Sequence, residues 1–288
     1  MHVFVTGATG WVGSVVVKEL LGAGHRVTGL VRSEDKADTL RVAGAEPRLG
    51  TLDDHEALRA AASDADAVIH TAFNHDFSKF AENCEQDRRA IEALGSALEG
   101  SDRPLLVTSG LSGLPRGATE ANMPGSAGPR KSEAAAQALA ERGVRAATVR
   151  LAPSVHGLGD HGFISILVRL AREKGVSAYI ADGGNCWSGV HRLDAATVYR
   201  LALEQGASEP VYHAVADEAV PFKEIAEVIG RRLGLPVEPR DREHFGWFAV
   251  MAGGDMAVSS AHTRAILGWE PTGPSLISDI DQPGYYAG

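Results

Sequence analysis

The segment Thr6-Gly7-Ala8-Thr9-Gly10-Trp11-Val12-Gly13 closes a short apolar run that begins at His2 and opens a helical pattern. Each glycine of this G-x-x-G-x-x-G spacing has a physical use. Gly7 permits a tight turn, Gly10 lets the backbone approach a pyrophosphate, and Gly13 lets helix and strand pack closely. Unbonded N–H groups at the helix N-terminus then attract phosphate, so Thr6, Thr9, Trp11 and Val12 join the glycines as candidate dinucleotide contacts. A second chemical signal is Gly29-Leu30-Val31-Arg32-Ser33. At such a strand end Asp or Glu accepts from the 2′-hydroxyl of NAD, whereas Arg pairs with the 2′-phosphate of NADP. Arg32, with Ser33 beside it, favours NADP(H). Glu34 and Asp35 keep NAD(H) open.

Other chemistries find little support. His156, Asp160 and His161 lie together, yet no Cys or second carboxylate stands at zinc-like spacing, so no metal is expected. Ser109, Ser154 and Ser177 lack a G-x-S-x-G elbow, which argues against serine hydrolysis. The 28 basic and 37 acidic residues leave a net charge of −9, so nucleic acid is an unfavourable partner. Two distant cysteines, Cys84 and Cys186, suggest a reducing compartment. The chain runs straight into its first strand, and no apolar stretch approaches the ~18 residues of a membrane span. These features predict a soluble, cytoplasmic protein without a membrane partner.

The elements that must position these residues follow from hydrophobic period. His2–Thr6, Arg26–Val31, Ala67–Thr71, Pro104–Ser109 and Ala146–Leu151 read as buried strands. Between them Trp11–Leu21, Glu34–Ala43, His55–Ala62, Glu85–Leu98 and Lys131–Arg142 carry apolar residues at helical spacing. This alternation predicts an α/β protein with a Rossmann-type, doubly wound parallel sheet and right-handed crossovers. Past Leu151 the rhythm changes. Ile164–Lys174, Leu193–Glu204, Phe222–Leu233, His244–Met251 and Ser259–Leu267 read as helices, and the rest of 153–189 as Gly-rich loops. The division expected is a nucleotide-binding part, 1–152, and a smaller C-terminal α/β substrate lobe, 153–288, interleaved with the sheet as one compact unit. The 33 glycines in 288 residues, above the usual ~7%, suit many tight turns.

Several segments together resemble the extended, epimerase/dehydratase-like branch of the short-chain dehydrogenase/reductase superfamily. They are the glycine turn, Gly50-Thr51-Leu52-Asp53, His70-Thr71-Ala72, Thr108-Ser109-Gly110, Arg150-Leu151-Ala152-Pro153-Ser154-Val155-His156-Gly157 and Val190-His191-Arg192-Leu193-Asp194. The resemblance implies that Leu52 lies near the adenine, Thr71 and Ala72 beside a ribose, and Pro153, Ser154 and Val155 under the nicotinamide. It also implies a small-molecule substrate, a homodimer, Ser109 (or Ser112) bonded to the substrate oxygen and Lys131 (or its neighbour Arg130) on the ribose. Family members pair that lysine with a proton-transferring tyrosine in Tyr-x-x-x-Lys. No such motif occurs in this chain, and Ala127 stands four residues before Lys131. Substitute proton donors by residue type are His156, Tyr179, His75 and Asp76. Asp194 suits a cap for the helix that follows it, and Trp187 and Tyr179 suit a pocket wall or the core. Phe245, Trp247, Phe248 and Met251 form an apolar stripe suited to core or subunit contact. The resemblance therefore implies an NADP(H)-dependent oxidoreductase acting on a small or medium carbonyl or alcohol. The alternatives are a nucleotide-binding sensor or scaffold without turnover and, third, a sugar-nucleotide epimerase or dehydratase.

Overall fold

A computed structural model describes residues 1–125 and 129–287. Strand β1 (His2–Thr6) is buried on both faces: Val3 and Val5 point into one core and Phe4 into the other. That two-sided burial is why it reads as a continuous apolar run. Around it the chain lays down α1 (Gly13–Gly22), β2 (Arg26–Val31), α2 (Glu34–Ala43), β3 (Glu46–Leu49), α3 (His55–Ser63) and β4 (Ala67–His70). Next come α4 (Phe80–Ser96), β5 (Leu105–Gly110), α5 (Ser132–Glu141) and β6 (Ala146–Leu151).

The second half adds β7 (Ser154–His156), α6 (Phe163–Lys174), β8 (Ser177–Ile180), β9 (Cys186–His191), α7 (Arg192–Glu204) and β10 (Val211–Ala214). It ends with β11 (Asp217–Pro221), α8 (Phe222–Leu233), β12 (Val237–Arg240), α9 (Ala249–Ala252), α10 (Ala261–Leu267) and α11 (Leu276–Ile280).

The main sheet has seven parallel strands in the order β3-β2-β1-β4-β5-β6-β10. Its order reverses between β1 and β4, and in such sheets the crevice outside the carboxyl ends at that point receives the ligand. One face is covered by α1, α2 and α7, with Val16, Leu20 and Tyr199 in its core. The other is covered by α3, α4 and α5, with Leu58, Ile91 and Leu139. Thus α7 and β10, although late in the chain, belong to the nucleotide layer, with α7 packed beside α1.

The smaller lobe holds a three-stranded sheet, β7-β9-β11, and a parallel pair, β8–β12. Its core is aromatic, centred on the buried Trp187, Phe222 and Phe248. Three expectations are corrected here. Residues 153–189 contain β7, β8 and β9 besides their helix, because strands of three to six residues give too short a period to read. Helix α4 begins at Phe80 rather than Glu85. The helix expected over His244–Met251 is a 3-10 turn, Arg242–Phe248, broken at Gly246 (φ 53°, ψ −130°) before the short α9. Among the described residues no helix is long and apolar enough to cross a membrane.

Candidate cofactor and catalytic site

The glycine turn lies in the crevice at the sheet's reversal point. Gly7 has φ +68°, and a Cβ there would stand 2.7 Å from the Ala72 amide nitrogen. A Cβ on Gly13 would lie 2.0 Å from the Gly7 carbonyl oxygen. Only glycine allows β1, the turn and α1 to approach this closely. On the outer side, α1 has no side-chain cap and no acidic residue in its first turn. Its leading N–H groups and positive dipole end therefore suit an anion. The compact turn backed by uncapped amides fits a dinucleotide diphosphate.

Side chains anchor this cradle to the rest of the site. Trp11 donates its indole N–H to the Val155 carbonyl at 2.7 Å, joining the turn to β7. The Arg192 guanidinium lies 3.8 Å over the Trp11 ring and donates to Ser14 Oγ at 3.0 Å. Its buried Nε has no partner, and no carboxylate pairs with it among the described residues. Burial lowers its pKa, against the pull of the Asp160 charge. Sequence reasoning missed Arg192, although a cation opening a helix opposite a phosphate cradle is a readable signal.

Arg32 is exposed directly after β2, with no ion pair among the described residues. Ser33 beside it is extended and makes no cap bond. Of the nearby acids, Glu34 faces Arg41 at 3.6 Å. Leu52 packs against the edge of the core behind β3. Thr71 donates its hydroxyl to the Thr6 carbonyl at 2.8 Å, tying β4 to β1. Pro153 and Ser154 follow β6, and the buried Ser154 Oγ is unpartnered.

At the end of β5, Ser109 is largely buried, and its hydroxyl makes no hydrogen bond among the described residues. Thr108 next to it donates to the His70 carbonyl at 2.7 Å, and the fully buried Tyr199 hydroxyl lies 2.7 Å from Thr108 Oγ1. Arg130 turns inward to the same place. It donates to the Thr108 carbonyl at 3.1 Å and to Ser132 Oγ at 2.5 Å, and its guanidinium lies 3.9 Å over the Phe73 ring. Ser132 donates to Asp87 at 2.5 Å, Asp87 meets His70 at 3.1 Å, and His70 meets Thr6 Oγ1 at 2.8 Å. Burial works to raise the Asp87 pKa, but the His70 and Ser132 bonds and the nearby cations outweigh it and hold the carboxyl low. This buried chain from β1 to Arg130 was not foreseen. Its signal was Asp87 itself, an acid on the apolar stripe of α4 between Cys84 and Ile91.

Several expected catalytic residues face elsewhere. Lys131 reaches Glu85 on α4 at 2.9 Å and stays half-exposed, because the turn into α5 directs Arg130 inward instead. Hydrogen bonds from Arg88 and Lys131 draw Glu85 down to about 2. Ala127 lies outside the described residues. His156 is fully buried, with Nδ1 2.9 Å from Asp279 Oδ2. Tyr285 donates to the same oxygen and accepts from the Gly157 amide. Burial alone would raise Asp279, yet the bonds from His156 and Tyr285 hold it low. His156 is thus tied through Nδ1 into the lobe's interior, while its buried Nε2 has no hydrogen-bond partner among the described residues.

Tyr179 lies on β8 against Lys223 and Gly183, and among the described residues no hydrogen bond or ring contact joins it to Ser109 or Arg130. Asp76 caps the turn Phe77–Lys79 by accepting from Ser78. Asp194 does not cap α7: it accepts from the Thr272 and Gly273 amides at 3.0 and 2.9 Å, pinning that loop to the helix. Phe245 and Phe248 are buried, as is Trp187, whereas Trp247 is exposed.

The crevice, the turn and the uncapped helix define a Rossmann-type α/β protein whose site suits a dinucleotide. The chain belongs to the NAD(P)H-binding family, whose model matches residues 7–156. An uncharacterized protein of Schizosaccharomyces pombe is 47% identical over 99% of this chain and 100% of its own length. A 4-hydroxy-2-methyl-3-oxo-4-farnesyl-3,4-dihydroquinoline-1-oxide ketoreductase of Stigmatella aurantiaca is 25% identical, covering 83% of this chain and 75% of that protein. Among solved structures, the dTDP-glucose 4,6-dehydratase of Streptomyces venezuelae, with NAD and TYD bound, shares the fold. It superposes with a TM-score of 0.78 at 19% identity over 99% of this chain and 97% of that one.

Proposed function

We propose that this protein is an NADP(H)-dependent oxidoreductase that interconverts a small or medium carbonyl compound and its alcohol. The observation that carries this reading is the uncommitted Ser109 hydroxyl at the end of β5, next in sequence to Thr108, whose carbonyl accepts from the inward-turned Arg130 guanidinium. The Thr6–Gly13 turn and Arg192 would hold the diphosphate, and Arg32 with Ser33 the 2′-phosphate. When bound, the reduced nicotinamide supplies a hydride to an electrophilic carbon.

Ser109 donates to the substrate oxygen, and Arg130 offsets the negative charge that grows on it. The proton that completes the alcohol comes from water. The lack of a tyrosine acid slows this step by roughly 10²–10⁴ without abolishing it. The Stigmatella aurantiaca relative, a ketoreductase, supports the carbonyl assignment. Buried free thiols at Cys84 and Cys186 suit a reducing, cytoplasmic setting.

The test is to follow NADPH consumption by the purified protein against a panel of aldehydes and ketones. Turnover that stops in Ser109→Ala, with NADPH still bound, supports the reading. Tight NADPH binding with no carbonyl consumed overturns it in favour of the sensor, a reading that the missing Tyr-x-x-x-Lys motif already favours.

A further inference from the structure

Aromatic rings from both parts of the molecule meet across the mouth of the site. Phe77, in the segment between β4 and α4, stacks on Trp247 of the smaller lobe at 5.3 Å with 27° between the planes, and lies 6.5 Å from Phe163. Towards the sheet, Phe77 and Phe73 each stand 5.9 Å from Phe80. Phe73 lies under the Arg130 guanidinium that bonds the residue next to Ser109. A continuous aromatic wall therefore runs from the reacting end of β5 to the rim of the crevice.

The two rings at the rim are placed there at a cost. Phe77 is 37% and Trp247 59% exposed, while Phe245 and Phe248 beside Trp247 are buried. Gly246, at φ 53° and ψ −130°, breaks the turn and directs Trp247 out of the lobe core. This backbone state strains residues with a side chain.

The charges around the wall are mixed: Lys79, in the turn of Phe77, and Arg242, in the turn of Trp247, are exposed and make no ion pair among the described residues. Burial and the Arg130 charge lower the pKa of His75, which lies between Phe73 and Phe77, so its ring is neutral near pH 7. Arg116, after β5, is held by Asp255 of the smaller lobe, and within that lobe Arg231 and Arg232 are held by Asp281 and Lys174 by the His244 carbonyl.

We infer that the Phe77–Trp247 clasp parts to hold the flat ring of an aryl ketone or aldehyde, its carbonyl directed along the wall towards Ser109. This substrate class rests on the carbonyl-oxidoreductase reading above. Ring faces and edges attract aromatic guests beyond simple burial, so the clasp should separate an aryl ketone from its saturated counterpart.

The test is calorimetric titration of acetophenone and of cyclohexyl methyl ketone into the full chain, with and without saturating NADP+. Acetophenone is expected to bind about tenfold more tightly. Phe77→Ala and Trp247→Ala should each shrink the preference to about twofold while leaving the NADPH dissociation constant unchanged. Equal binding of the two ketones, binding of neither, or a preference that survives in both variants would overturn the inference. Because this readout is binding, a clear aryl preference without NADPH consumption would uphold the clasp while refuting the oxidoreductase reading.

Discussion

Two basic neighbours at the start of α5 point in opposite directions. Lys131 extends to Glu85 at the surface, and Arg130 folds in against Phe73, Ser132 and the Thr108 carbonyl. Arginine suits the inward position because its planar fork can stack and donate at once, which an ammonium cannot. Arg130→Leu is expected to lower kcat about 10²-fold, in line with loss of one donor to a developing oxyanion. Arg130→Lys should recover part of kcat through its charge. Steady-state kinetics and NADPH titration on both variants check this, with thermal midpoints as a control. A fall confined to the thermal midpoint, with kcat intact, would assign Arg130 to structure alone. The buried Asp87–Ser132 pair would position the guanidinium through a low-dielectric hydrogen-bond chain.

Elements that bury two faces or one broad stripe were legible in the sequence, and those that do neither were not. The apolar runs of β1, β2 and β6 and the glycine turn place the crevice unaided, because each signal is local. The short strands of the smaller lobe are not legible in this way. They take three to six residues, interleave with glycines, and gain their order from pairings such as β7 with β9 across thirty or so residues of chain. Helix α4 hides its true start because Asp76, Ser78 and Lys79 mask the first apolar turn, which Phe80 opens. His156 shows the same limit at the site. Its residue type suited proton transfer, but its partner Asp279 lies 123 positions away, and only the fold reveals that Nδ1 is engaged there while the buried Nε2 is without a partner among the described residues. Arg130 and Lys131 could not be separated by sequence, since one residue's rotation about the turn decides which of them faces the crevice.

The whole molecule carries a pH dependence set by its buried histidines. His213, fully buried on β10, lies 2.7 Å from the Ser259 carbonyl through Nδ1, so Nδ1–H donates and Nε2 must accept from Arg150, 3.0 Å away. A second ring proton would face the guanidinium. Burial, assisted by the Arg150 charge, accordingly lowers the His213 pKa, and burial lowers that of His191 as well. Such groups take up protons on unfolding. Their contribution is whole above the unfolded value of about 6.5 and is lost as pH falls below it, by up to ~1.4 kcal/mol per pH unit for each group. Denaturant midpoints should therefore fall between about pH 7.5 and 5.5, where carboxylates scarcely titrate, and fall less in His213→Gln. A midpoint that is flat or rises over that window would contradict this.

The account depends most on the crevice taking a dinucleotide whose 2′-phosphate meets Arg32. Its most direct test is equilibrium titration with NADPH and NADH, followed by tryptophan fluorescence, on the native protein and on Arg32→Ala. Saturable binding is expected, with NADPH about tenfold tighter than NADH, as one charge-assisted contact provides, and with that gap closed in the variant. Failure of both nucleotides to bind, or NADH binding more tightly than NADPH, would contradict it.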